Sequence, residues 1–373
     1  MILNIVFIIL CCLIIWRASD GFEVASQYLG RNLKDGVRGA TINAIGSSMP
    51  ELFTTMWFLF VLHNKDGFAS GIGTTAGSAI FNGMIIPAVV IIAVIGYGLA
   101  KRITVSKKVI WRDGFSLILA ELVLIFFING SSLHWWHGVL LMLLYGIYVA
   151  VMLTTMNREE EEEMDQPEED DDTDSEPSSL FTSLLKLDLE SVFIRGQLTG
   201  SNAWTLLIVS MFIIGGSCAL LVYACEGLGH NLGIHTYFVA VIIASAATSV
   251  PDTILSYRDA IDGNYDDAVA NALGSNIFDV CFALGFPLAL FCLINGPIMM
   301  SPETIENISE LRIILLFLTI TAFLIYVIGP HMGKIKAVLL LLLYVLFTAF
   351  IACKACYFQW AMDFGDFIRG LMN

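Results

Sequence analysis

Gly46-Ser47-Ser48-Met49-Pro50-Glu51 puts a proline and a carboxylate inside an otherwise apolar segment. Ala40-Thr41-Ile42-Asn43-Ala44-Ile45 precedes it and Leu52-Phe53-Thr54-Thr55-Met56-Trp57 follows. A charge and a broken helix are both costly at bilayer depth, and both are tolerated mainly where they line a site. The stretch has a twin. Ala247-Thr248-Ser249-Val250-Pro251-Asp252 repeats the order of small residue, two hydroxyls, one apolar residue, proline and acid.

A second block follows each motif. Gly77-Ser78-Ala79-Ile80-Phe81-Asn82 pairs with Gly274-Ser275-Asn276-Ile277-Phe278-Asp279. Pro50 to Pro251 is an offset of 201 and Ser78 to Ser275 one of 197, so internal spacing is nearly kept. Two linked blocks at matched spacing make an internal repeat.

The surrounding composition is that of a membrane protein. Of 373 residues 57% are apolar and 14% charged, with a mean hydropathy of +0.77; soluble domains carry roughly 25% charged residues. Long apolar runs indicate spans near 1–29, 37–62, 68–96, 114–130, 136–155, 203–228, 234–257, 266–293, 311–328 and 336–355. The alternation of an outer-membrane barrel is absent. The first run has no basic residue before it and no small-x-small site after it, which argues against a signal peptide. The expected fold is an all-α polytopic membrane protein of ten transmembrane helices in two five-helix repeats. Five is odd, so the second repeat enters from the opposite side and the topology is inverted. The expected divisions are 1–156, a loop at 157–202, and 203–373.

The net charge of −15 is local. Thirteen acids lie between Glu159 and Glu176, and without them about −2 remains. This run, with Pro167 and Pro177, reads as a solvated disordered linker, without the spacing of an EF-hand. No basic cluster suits nucleic acid. With the N-terminus outside, the outer side holds only Lys65, Arg312, Lys354 and Arg369, and the other fifteen of nineteen Lys and Arg fall inside. That asymmetry predicts both termini outside and the acidic loop in the cytoplasm. The sequons at Asn129 and Asn307 read as chance matches. Asp20 and Glu226, near the ends of the first and sixth spans, read as interfacial, with ion entry as the alternative.

The motif spacing carries chemistry. Pro50 cannot donate to the Gly46 carbonyl, nor Pro251 to that of Ala247, so carbonyls are freed as oxygen ligands. Ser47 and Glu51 are i,i+4 on one helix face, as are Thr248 and Asp252, Ser78 and Asn82, and Ser275 and Asp279. All are oxygen donors, and no Cys or His joins them, which disfavours a soft metal. Calcium takes six to eight oxygens, and two carboxylates neutralise its charge; sodium can use the same hydroxyls and carbonyls. Glu51, Asp252 and Asp279 converging at one depth read as a cation site. Gly71, Gly73, Gly77 and Gly274 read as close-packing positions. Cys353-Lys354-Ala355-Cys356 lacks the two further ligands zinc needs, so no cofactor is expected.

At these residues the chain resembles the cation/calcium exchanger superfamily. Residues 46–54 are similar to its first α-repeat and 248–252 to its second. The pairing of 77–82 with 274–279, together with Asp252, is most similar to the potassium-dependent sodium/calcium exchanger branch. The resemblance implies an ion-binding core of helices 2, 3, 7 and 8, with helices 1 and 6 moving across it. It implies that Glu51 and Asp252 are calcium carboxylates. Ser47, Ser48, Thr248, Ser249, Ser78 and Ser275 match hydroxyl positions that serve sodium or calcium, and Ala44 and Ser245 match main-chain carbonyl positions. Asn82 and Asp279 match a facing pair, with Asp279 linked to potassium. Ala247 stands where the second repeat usually has glycine.

The implied function is secondary antiport of Na⁺ against Ca²⁺ across the cell membrane, with or without K⁺ alongside Ca²⁺. A Ca²⁺/H⁺ exchanger of the same superfamily is the alternative. An intramembrane aspartyl protease is a remote one, since its acids must share a proton and the chain has no Gly-x-Gly-Asp stretch.

Overall fold

The computed structural model describes residues 1–29, 44–62, 65–127, 132–163, 188–193, 198–329 and 331–370. Among these, ten rods follow the expected order. They are α1 (Ile2–Leu29), α2 (Ala44–Ser47 continued by Met49–Leu62), α3 (Lys65–Gly96), α4 (Lys107–Phe127) and α5 (Trp135–Glu163). The second half has α6 (Gly200–Leu232), α7 (Thr236–Ile261), α8 (Tyr265–Asn295), α9 (Pro302–Val327) and α10 (Lys334–Ala355). Eight of the described helices are long and apolar enough to cross a membrane. The other two rods are α2, broken at Ser48, and α4, which carries five charged residues.

Proline breaks α2 and α7 at matching places. Ser48 N–H reaches Ala44 and Leu52 N–H reaches Ser48; in the second half Ser249 reaches Ser245 and Thr253 reaches Ser249. Ser249 sits at φ −80°, ψ 3°, between the short Ser245–Thr248 turn and Val250–Ile261. Each break therefore ends one helix in carbonyls and starts the next with an acid in its first turn, Glu51 or Asp252. A carboxylate at a helix N-terminus faces the favourable end of the dipole.

The rods bury two apolar clusters. One joins α3, α4, α5, α8, α9 and α10; the other joins α1 and α6 to α2 and α7. Ser132–Leu133, before α5, pairs with Ile298–Met299, before α9. On the opposite face Ile103 bridges Met332. These clasps put the α4–α5 and α8–α9 connections on one face and the α3–α4 and α9–α10 connections on the other, as strict alternation requires.

Several boundaries move. The expected ninth span began at 311, but α9 starts at Pro302, where the Ser301 hydroxyl accepts from Thr304 N–H and Pro302 fills the first turn. Hydropathy missed these turns because they are polar. Arg312, counted among outer-side cations, is therefore inside the bundle, 1% exposed, donating to the Leu124 and Ile125 carbonyls that end α4. Lys354 is likewise buried, paired with Glu310. An amphipathic helix, α11 (Gln359–Gly370), follows α10 and was not anticipated. The Glu159–Glu163 run, expected within a linker, continues α5 past residue 156, because glutamate is a good helix former. A short helix, Leu189–Phe193, lies in the same expected linker. The acids from Asp165 to Glu176 and the Asn129 sequon lie outside the described residues. Asn307 is helical, and its carbonyl accepts from Tyr237.

The Lys354–Glu310 pair supplies a stability test. Lys354→Met leaves Glu310 a buried carboxylate without its hydrogen-bonded partner, with only the more distant Arg369 to offset it, and should cost up to about 3–5 kcal/mol, read as a lower unfolding temperature in detergent. Adding Glu310→Gln should restore most of the loss; no recovery would mean the two act independently.

Candidate cation site

All twelve residues singled out in the sequence are buried: Ser47 is 6% exposed, Ala44 1%, and the other ten 0%. They lie on α2, α3, α7 and α8, so both halves contribute. The hub is Ser78. Its Oγ is 3.1 Å from Glu51 Oε1, 3.0 Å from Asp279 Oδ2 and 2.9 Å from Ser249 Oγ. The repeat counterpart, Ser275, donates to Asp252 Oδ1 at 2.8 Å and lies 3.5 Å from Ser47 Oγ. Asn82 donates its amide to Asp252 Oδ2 at 2.9 Å and to Ser78 at 3.4 Å. Glu51 and Asp252 thus each receive a hydroxyl from the next helix of their own half. Asp252 also receives an amide from the other half.

The acids are bridged by hydroxyls. Among the described residues no three His, Cys, Asp or Glu side chains converge closely enough to hold an ion by themselves. Ser78 lies between Glu51 and Asp279, so the grouping of acids is a mixed one of carboxylates and hydroxyls. A cation shell here has to include hydroxyl and amide oxygens as well as carboxylates. That suits a hard cation taking many oxygens.

Among the twelve site residues, four side-chain oxygens are buried without a hydrogen-bond partner: Ser48 Oγ, Glu51 Oε2, Asn82 Oδ1 and Asp279 Oδ1. The Ser48 hydroxyl lies close to Asp279, and that of Thr248 close to Glu51, but neither aligns as a hydrogen bond with the carboxylate. Instead Thr248 donates to the Ser245 carbonyl at 3.1 Å. The Ala44 and Ser245 carbonyls are not free. Each accepts an N–H across the helix break and a hydroxyl, from Ser47 or Thr248. The hydroxyl has to rotate away before either carbonyl could serve a cation on that side.

Burying carboxylates without a cationic partner is expensive. The ion pairs of the described residues involve Asp20, Asp113, Glu306, Glu310 and Asp366, none of them a member of this group. The chemistry available is reversible charge neutralisation by a small cation or by protons.

Two features near the site carry no signal in the sequence. α7 and α8 each contain one π-helical turn, Ala240–Ala244 and Asp279–Ala283. Such turns often mark functional positions, and the second begins at Asp279. Asn276, within the repeated block, donates to the Ala79 carbonyl at 2.9 Å and ties α8 to α3. Gly77 lets α3 and α7 approach closely: a Cβ there would fall 2.2 Å from the Val241 carbonyl oxygen.

A family model described as sodium/calcium exchanger protein matches residues 3–154 and 202–352, both halves and not the acidic segment between them. The chain belongs to the sodium/calcium exchanger protein family. Within that family, it is 35% identical over 120 residues to mouse sodium/potassium/calcium exchanger 4, a match covering 32% of this chain and 18% of the relative. It is 37% identical over 136 residues to bovine sodium/potassium/calcium exchanger 1, covering 34% and 10%. These matches span less than a fifth of the relatives' length, and they fall in the branch that the motifs resemble. Two solved structures share the fold of this exchanger-family chain. One, described as the H⁺/Ca²⁺ exchanger CAX, has a TM-score of 0.62 at 12% identity, covering 99% of this chain and 92% of that one. The other, the sodium-calcium exchanger NCX_Mj soaked with Na⁺ and Sr²⁺, has a TM-score of 0.56 at 21% identity, covering 93% and 98%. The all-α, two-repeat inverted fold is thereby shown.

Proposed function

We propose that the chain is a secondary-active antiporter that exchanges Na⁺ for Ca²⁺ by alternating access. One observation carries this reading. Glu51 and Asp252, from opposite halves, are both fully buried at helix breaks and held by hydroxyl and amide donors. Two carboxylates neutralise a calcium ion, while hydroxyls and carbonyls suit sodium. Ser47, Ser48, Ser78, Asn82, Thr248, Ser249, Ser275 and Asp279 complete the proposed ligand set, with Ala44 and Ser245 offering carbonyls. α1 and α6, which pack together in the cluster that also takes in residues of α2 and α7, are the pair that would slide.

The names of the relatives favour potassium as a co-substrate. Asp279 is the residue assigned to it, and Asp279→Asn should remove any K⁺ requirement while Na⁺-driven Ca²⁺ flux persists. Unchanged K⁺ dependence would undo that assignment. The proposed setting is the cell membrane, with both termini outside, the segment 157–202 cytoplasmic, and repeats at 1–156 and 203–373.

Calcium/proton exchange is the second reading, favoured by three buried acids with no basic partner and by the likeness to the H⁺/Ca²⁺ exchanger fold. The deciding experiment is Ca²⁺ uptake into proteoliposomes with Na⁺, K⁺ and pH gradients imposed separately. Uptake driven by an outward Na⁺ gradient supports the first reading. Uptake driven by ΔpH alone replaces it with the second.

A further inference from the structure

A small cleft separates α1 from the second part of α7. It holds about 10 Å³, room for one water-sized occupant. Ser19, Asp20 and Glu23 line it from α1, Ser47 from α2, and Pro251 and Arg258 from α7. Ser19 is 6% exposed, and its Oγ has no hydrogen-bond partner. Ser47 forms the inner end. Beyond it lie Ser275 at 3.5 Å and, 2.8 Å further, Asp252. A continuous line of oxygens therefore runs from the cleft to the buried acids.

The outer end is closed by an ion pair. Arg258 Nη1 lies 3.1 Å from Asp20 Oδ1, and Arg17 Nη1 lies 3.8 Å from Asp20 Oδ2. Both arginines are more than a third exposed, and exposed pairs of this kind are weak. Such a pair is readily exchanged for another cation. The opposite flank is different. There α6 meets α2 through Cys218 on the Pro50 carbonyl and Gly215 against the Phe53 ring.

We infer that this cleft is a cation entry site. An incoming Na⁺ or Ca²⁺ displaces Arg258 from Asp20, is held by Asp20, Ser19 and Ser47, and passes to Asp252. The assignment rests on the antiport reading for its destination, but its binding step stands apart from transport.

The test uses the full chain in proteoliposomes, with Ca²⁺ as the probe. Asp20→Asn should raise the half-saturating Ca²⁺ concentration about tenfold on the face where α1 and α7 end, and leave the opposite face unmoved. Arg258→Gln should lower it on the same face. An Ile254→Cys reporter, on the cleft wall, should be protected by Ca²⁺ from a membrane-impermeant thiol reagent, and Asp20→Asn should abolish the protection. Protection that depends on Asp20 in a chain showing no exchange keeps the entry site and discards antiport. Equal shifts on both faces, or protection that survives Asp20→Asn, would overturn the entry site.

Discussion

Glu51→Gln abolishes Na⁺-driven Ca²⁺ uptake, and so does Asp252→Asn, if the buried acids neutralise the transported ion. Each substitution keeps side-chain shape and removes one charge from a group 0% exposed. Losing one member of a buried, hydrogen-bonded charge pair costs about 2–5 kcal/mol. Affinity for a divalent ion should fall by roughly one and a half to three and a half orders of magnitude. Folding should not suffer. In the Glu51→Gln variant the Ser78 hydroxyl can still donate to the side-chain amide oxygen, and an amide avoids the cost of an unpaired buried carboxylate. The discriminating pair of measurements is uptake in proteoliposomes and the unfolding temperature in ion-free detergent. Loss of uptake at an unchanged or higher unfolding temperature is the expected outcome. Normal uptake by either variant removes that acid from the site.

Gly77→Ala tests the scaffold. The added Cβ would stand 2.2 Å from the Val241 carbonyl oxygen and 2.8 Å from Ser245 Cβ. The first is backbone and cannot rotate away, so α3 and α7 must separate. Overpacking of this kind typically costs about 1–3 kcal/mol and occasionally more. The displacement also falls on the 2.9 Å contact between Ser78 and Ser249, one residue along α3. Both the unfolding temperature and Ca²⁺ uptake should drop. Gly73→Ala is the control, because its nearest neighbour at 2.9 Å is a side-chain methyl, Val241 Cγ2, and its nearest backbone atom, Tyr237 O, is 3.4 Å away. It should be milder in both measurements. A Gly77→Ala variant matching the wild type would mean that α3 and α7 do not need this approach.

Much of the arrangement was legible because the motif occurs twice. Pro50 and Pro251 mark the two helix breaks, and each carries its acid one residue later, so a local rule about proline located both. Hydropathy placed the cores of the spans for a similar reason: apolar length is a summed property. It failed where helices begin in polar residues, as at Pro302–Arg312, since capping and not apolarity starts that helix. The Lys and Arg count assigns Arg312 and Lys354 to the outer side and carries no information on burial. Their partners, the α4 carbonyls and Glu310, are contacts distant in the chain that no window can see. The π turns change hydrogen-bond register without changing composition. Within the candidate site, i,i+4 spacing showed which side chains share a helix face. It could not show that Ser78 reaches across to Ser249 and Asp279, nor that the Ala44 and Ser245 carbonyls are already engaged by neighbouring hydroxyls.

Ser78 has one proton to give. A hydroxyl donates once and accepts twice, yet its oxygen faces Glu51, Asp279, Ser249 and the Asn82 amide. Asn82 can donate to it and Ser249 can donate to it, which fills both acceptor positions. Its own proton can then satisfy one carboxylate. The other is left oxygen to oxygen at about 3 Å, a repulsive contact if that acid is ionised and nothing lies between. Any arrangement that keeps these four contacts therefore includes an extra proton or a cation. The least satisfied form of this centre is the one with every acid ionised and no cargo. A centre whose unloaded form is penalised in this way is seldom empty, so the proton count of a single serine favours exchange of one cargo for another over an empty site.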